Sequence, residues 1–162
     1  MTTAALFFAR ATHRVSATDY VEWAISMLEQ GFDSRSLRIL AGLDGSSLFE
    51  AADYFRRVLR ELQIAEPDLE GSMRTYACEL ASRIVAGTLD ARNGVRQLYQ
   101  ICLAAGYTED FRVWLYLDDA LDALEEGDYP HTYGSLTFGN LEETVRAEAK
   151  RFLETFSDGN VA

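Results

Sequence analysis

The sequence predicts an all-α fold: a single-domain irregular bundle of about seven helices, with stacked helical hairpins as the variant arrangement. Three observations predict it. Apolar residues recur at helical spacing almost throughout the 162 residues. Capping residues open many of these stretches and Gly closes them. No strand–turn–strand pattern occurs outside residues 4–9, and only 2 Pro interrupt the chain.

Residues 4–9 (Ala-Ala-Leu-Phe-Phe-Ala) are too short for periodicity to separate helix from strand. The first clear helix follows Thr18, where Asp19 and Glu22 resemble a capping box, and ends at Gly31. Its apolar residues, including Tyr20, Trp23, Ile25 and Met27, cover about 200° of arc, which predicts a central helix. A short helix over 34–43 follows, then one from Ser47 to about Leu62, with Ala52, Phe55, Val58 and Leu59 inward. Asp53 to Arg57 and Arg57 to Glu61 have the spacing of intrahelical ion pairs. Gln63 to Gly71, containing Pro67, is the best internal linker. Either half alone is small for an independent core, so residues 1–162 are expected as one domain with a weak division near 63–71.

Beyond the linker, helices are predicted to Gly87, over 90–105, over 109–126, and from an Asn140 cap onward. Tyr20–Gly31 and Tyr76–Gly87 share their end residues and a serine, a faint sign of duplicated hairpins. This helix–glycine–helix texture resembles small bacterial helical proteins, some of them immunity partners of toxins.

Composition narrows function. The chain carries 26 Asp and Glu against 15 Lys and Arg, a formal charge of −11. That balance argues against nucleic acid or an anionic membrane as partner. No apolar run approaches the roughly 20 residues a membrane helix needs. The apolar run 4–9 lacks the basic lead of a signal peptide. Cys78 and Cys102 stand in helical patterns outside any CxxC pair, so reduced thiols and a cytoplasmic location are expected. Fourteen Arg against the single Lys150 fit a GC-rich bacterial genome. The charge is uneven: residues 1–64 hold 8 acids and 7 bases, and residues 65–162 hold 18 acids and 8 bases.

The acidic excess is sharpest over 117–126. Trp114, Leu117, Leu121 and Leu124 share one side of that helix, and Asp118, Asp119, Asp122, Glu125 and Glu126 the other. Within the helix these carboxylates find no base at i±3 or i±4, and they oppose the dipole at its C-terminal end. An arrangement that costs stability suggests a use. The next segment, 128–139, is a long loop carrying Tyr129, His131, Tyr133 and Phe138, residue types suited to partner contact.

Two readings follow. In the first, the chain is a non-catalytic interaction module without cofactor. Asp118, Asp119, Asp122, Glu125 and Glu126 attract a basic protein, such as a toxin, and Tyr129, His131 and Tyr133 anchor it. In the second, Asp118-Asp119-x-x-Asp122 resembles the aspartate-rich motif of prenyl-diphosphate enzymes, which implies Mg²⁺ held by these three residues against a diphosphate or nucleotide. The chain is much shorter than those enzymes and has no second such motif, so the first reading is preferred. A homodimer burying part of the apolar surface is a further arrangement. His13, Arg56, Arg57 and Arg60 read as surface groups, and Trp23 and Trp114 as core.

Overall fold

In the computed structural model, which describes residues 1–158, the Thr2 side chain accepts a hydrogen bond from the Ala5 amide (3.2 Å) and starts helix α1, Thr3–Ala11. The ambiguous segment is therefore helical, and it buries Ala4, Leu6, Phe7 and Phe8. With α2 (Ala17–Glu29), α3 (Arg35–Ala41), α4 (Leu48–Glu61), α5 (Leu69–Val85), α6 (Ala91–Ala104), α7 (Arg112–Glu126) and α8 (Leu141–Asp158), the described residues hold eight α-helices. They contain no strand, and none of their helices is long and apolar enough to cross a membrane.

The chain forms two compact units, residues 1–72 and residues from Met73 onward, meeting one residue beyond the 63–71 linker and within α5. In the first unit α2, α3 and α4 pack on one another and α1 packs on α2. The shared centre is the Phe55 ring, whose centroid lies 4.9 Å from that of Trp23, 5.0 Å from Tyr20 and 6.1 Å from Phe7. All four rings are nearly or wholly buried, and each contributes roughly 2–3 kcal/mol of apolar transfer. The Trp23 indole N–H donates to Thr3 Oγ1 (3.0 Å), tying α2 to α1.

Three local readings change. The cap of α2 is Ser16, so the helix begins ahead of Thr18 and the capping box is Ser16 with Asp19, not Asp19 with Glu22. The Ser16 side chain accepts from the Asp19 amide while Asp19 Oδ2 accepts from the Ser16 amide (2.7 Å), so Asp19 is the third helical residue of the capping box. Ile25 is partly exposed, so the buried arc of α2 is narrower than the sequence suggests. Glu61 does not pair with Arg57. It reaches the start of α3 and accepts from the Ser36 hydroxyl (2.6 Å) and the Ser36 amide (3.0 Å). The Ser34 hydroxyl, then that of Ser36 and the Ser36 amide, lower the Glu61 carboxyl from its ordinary 4.5 to about 2. A carboxylate at a helix N-terminus satisfies an orphan amide and complements the dipole.

In the second unit α6 packs against α7 and α8. Trp114, Leu117 and Leu121 of α7 are fully buried together with Leu98 and Ile101 of α6, and Phe152 of α8 lies 5.7 Å from the Trp114 ring. The Trp114 indole N–H has no partner among the described residues. Residues 109–111 form a 3₁₀ turn, so α7 begins later than predicted, at Arg112. Asn140 works backwards into the loop, accepting from the Thr137 amide (2.7 Å) and donating to the Ser135 carbonyl (2.8 Å). Gly94 lets α6 approach α5, since a Cβ there would lie 2.5 Å from Ile84 Cδ1.

Gly94→Val should therefore destabilise the second unit by about 2 kcal/mol through overpacking. Adding Ile84→Ala should recover part of that loss, measured by urea unfolding of the single and double variants. A second outcome concerns acid. Because folding lowers the Glu61 pKa, its contribution is present above about pH 4.5 and is lost as pH falls toward about 2. Glu61→Gln should flatten the stability profile across that window without changing its shape at neutral pH.

Candidate functional site

Helix α7 owes its position to Trp114, Leu117 and Leu121, all with zero exposure, on its inward stripe. Asp118 follows Leu117 at the edge of that stripe and is buried, only 4% exposed, rather than facing solvent. It is tolerated because Arg96 reaches over from α6. Arg96 Nη1 lies 2.8 Å from Asp118 Oδ1, and Nη2 lies 2.5 Å from Asp122 Oδ1 and 3.2 Å from Glu125 Oε2. One turn earlier on α6, Arg92 Nη1 sits 2.5 Å from Glu125 Oε1. Two arginines four residues apart thus match carboxylates at 118, 122 and 125 across the helix pair. The bases missing within α7 come from its neighbour.

The balance at Asp118 is close. Burial raises its pKa above the ordinary value, and Arg96 acts in the opposite sense. The guanidinium makes the buried carboxylate bearable without fully offsetting its desolvation.

The remaining acids are different. Asp119 and Glu126 are exposed and form no ion pair among the described residues. Gly127, in the left-handed region at φ 82°, ends α7, and the Asp128 amide bonds back to the Ala123 carbonyl (2.8 Å). That turn brings a further acid, Asp128, beside Glu126. Asp119, Asp122, Ala123, Glu126, Asp128, Tyr129 and His131 line one open depression. Tyr129 is 61% exposed, and its ring lies 5.0 Å from His131 in an edge-on contact. The Tyr129 hydroxyl donates to the Gly134 carbonyl (3.2 Å), and the Thr132 hydroxyl donates to the Tyr116 carbonyl (3.0 Å), which fastens the loop to α7.

Of the eight residues singled out from sequence, five line this depression: Asp119, Asp122, Glu126, Tyr129 and His131. Asp118 and Glu125 belong to the arginine clamp, with Asp122 shared between clamp and depression. Tyr133 points elsewhere. Its hydroxyl donates to Glu148 Oε1 of α8 (2.6 Å), and burial, then Glu148, push its pKa up to about 12. It is a loop anchor. Sequence reasoning missed Asp128, Arg92 and Arg96; the Arg92/Arg96 spacing on a predicted helix was the available signal.

The same geometry weighs against the Mg²⁺ reading. Asp118 and Asp122 already hold Arg96. Among the described residues no three His, Cys, Asp or Glu side chains converge as a metal site would require. What the depression can do is attract and seat a cation, with four carboxylates and the Tyr129 ring among its lining.

No protein-family model, curated protein or solved structure matches this chain. The geometry of the depression is therefore the basis for assigning it a role.

Arg96→Met should destabilise the second unit by about 2 kcal/mol at neutral pH, less than for a fully buried pair because Arg96 is partly solvated. The loss should shrink as pH is lowered and Asp118 takes up a proton, and Asp118→Asn in the same chain should restore much of the stability. Thermal unfolding at several pH values measures both effects.

Proposed function

We propose that this chain is a non-catalytic protein-interaction module whose second unit receives a cationic segment of a protein partner. The observation that carries the reading is the open depression lined by Asp119, Asp122, Glu126 and Asp128, with Tyr129 and His131 at its side and no Arg or Lys among its lining residues. Residues 73–162 hold 15 acids and 8 bases, so the surrounding field attracts cations and speeds encounter. An incoming Arg or Lys side chain gains rim carboxylates and, at Tyr129, a ring face worth about 0.5–1 kcal/mol at an exposed site. A basic toxin or nuclease is the partner class this chemistry suits. The two cysteines are unpaired, which suits a reducing compartment, and the composition agrees with a bacterial cytoplasmic protein.

The test uses Asp119→Arg, Glu126→Arg and Asp128→Arg together, three positions outside the arginine clamp. A partner isolated from the native host with the wild-type chain should bind this variant at least about 100-fold more weakly, mostly through a slower on-rate, and with a flattened salt dependence. Glu22→Arg with Glu29→Arg, on the exposed side of α2, should leave binding unchanged. Equal retention of the partner by both variants rejects the proposal.

A further inference from the structure

The first unit holds an arginine in an unusual position. Arg10, near the end of α1, has a side chain only 24% exposed, and its guanidinium lies over the Phe55 ring, 5.5 Å from the centroid. Its Nη1 donates to the Tyr20 hydroxyl (2.9 Å), and its Nε donates to Glu66 Oε1. Two of these three partners belong to the packed helical frame: Phe55 on α4 and Tyr20 on α2. The frame therefore holds the cation in place whether or not Glu66 is present.

Glu66 is the exception. It belongs to the connection between α4 and α5, and among the described residues neither it nor Ala65 makes a backbone–backbone hydrogen bond. The anion that neutralises a framework cation is thus delivered by a connecting segment that no backbone–backbone hydrogen bond holds at residues 65 and 66. A half-buried guanidinium needs an anionic partner, because leaving it unpaired costs the desolvation of a charge.

Arg10 and Glu66 stand in a groove where Val15, Leu48, Ala52, Pro67 and Leu69 contribute apolar walls, and His13 and Tyr20 complete its polar lining. Leu48 and Leu69 remain 49% and 45% exposed, at the starts of α4 and α5, and so leave apolar surface open along the groove. An apolar trough with one fixed cation is complementary to one ligand chemistry, a single carboxylate bearing an aliphatic tail. A lone arginine suits a monoanion rather than a phosphate cluster, and Glu66 itself shows that a carboxylate fits the guanidinium.

We propose that this groove binds an aliphatic monocarboxylate, with Arg10 receiving the carboxylate, the apolar walls receiving the tail, and Glu66 standing in for the ligand when it is absent. Binding exchanges one carboxylate for another, so the Arg10 guanidinium is paired both before and after. Glu66 moves into water, which solvates its carboxylate, while the tail covers Leu48 and Leu69. The site is independent of the acidic depression, which repels an anion.

The probe is decanoate, titrated calorimetrically into the full chain below its micelle-forming concentration, with decanol as a tail-matched neutral control. Decanoate should bind at least about tenfold tighter than decanol, because only the acid engages Arg10. Glu66→Gln should tighten decanoate binding by about threefold, the worth of removing a solvent-exposed internal competitor. Arg10→Gln should remove the preference for the acid over the alcohol. Ala52→Phe, which fills the groove, should abolish binding of both. Equal affinity for decanoate and decanol, or no gain in Glu66→Gln, overturns the proposal. Both readouts stand on variants that leave Arg10 in place, so they hold even if Arg10→Gln fails to fold.

Discussion

The guanidinium of Arg96 is what allows the second unit to contain α7 as it stands. Without it the inward stripe of Trp114, Leu117 and Leu121 could be buried only by driving the charge of Asp118 into an apolar setting. With it, one planar cation satisfies three carboxylates along nearly two turns of α7, and Arg92 extends the match. The contact also fixes register. Sliding α6 by one turn would leave at most one of Arg92 and Arg96 opposite these carboxylates, whereas a purely apolar interface would tolerate the shift at less cost. The acids left over, Asp119, Glu126 and Asp128, are those the clamp cannot reach, and they line the depression.

Much of this fold could be read from the chain, since periodicity and caps report local physics. The stripe of α4, with Phe55, Val58 and Leu59, is buried where its spacing put it, and Gly31, Gly87 and Gly127 end helices in the left-handed conformation. The segment Ala4–Ala9 escaped because six residues cover less than two helical turns and carry no period to measure. Ser16 with Asp19 was passed over for Asp19 with Glu22 because both pairs have capping-box spacing, and only the backbone shows where the helix starts. The site was legible as a composition and not as an arrangement. A helical wheel places Asp118 on an arc but does not say which helix lies beside that arc, nor that Arg96 comes from it. Tyr133 was misplaced for the same reason: a loop aromatic can turn toward a partner or toward its own chain, and Glu148 on α8 decides the matter.

Both units settle a buried-charge problem with an arginine and a carboxylate from a different segment, but the consequences differ. Arg96 draws its partners from α7, so its contacts belong to the rigid helical frame. Arg10 draws its anion from a connection, so the pairing is separable from the frame that holds the cation. Glu61 is a different case, an exposed carboxylate held chiefly by hydroxyls and an amide at the start of α3. The carboxylate group thus serves as a helix-to-helix tie, a counterion on a connection and a partner for a helix N-terminus, according to which donors surround it.

The chain contains 2 Trp, and the two units take one each. Both indoles are sealed from solvent, but Trp23 donates its N–H to Thr3 and is ringed by Phe55, whereas the Trp114 N–H has no partner among the described residues. Indole emission responds to hydrogen bonding at that nitrogen and to the polarity around the ring. The protein therefore carries two internal reporters in different hydrogen-bonding environments, one for each unit. Replacing either with Phe leaves the other as the sole optical record of whether its unit melts with its neighbour or ahead of it.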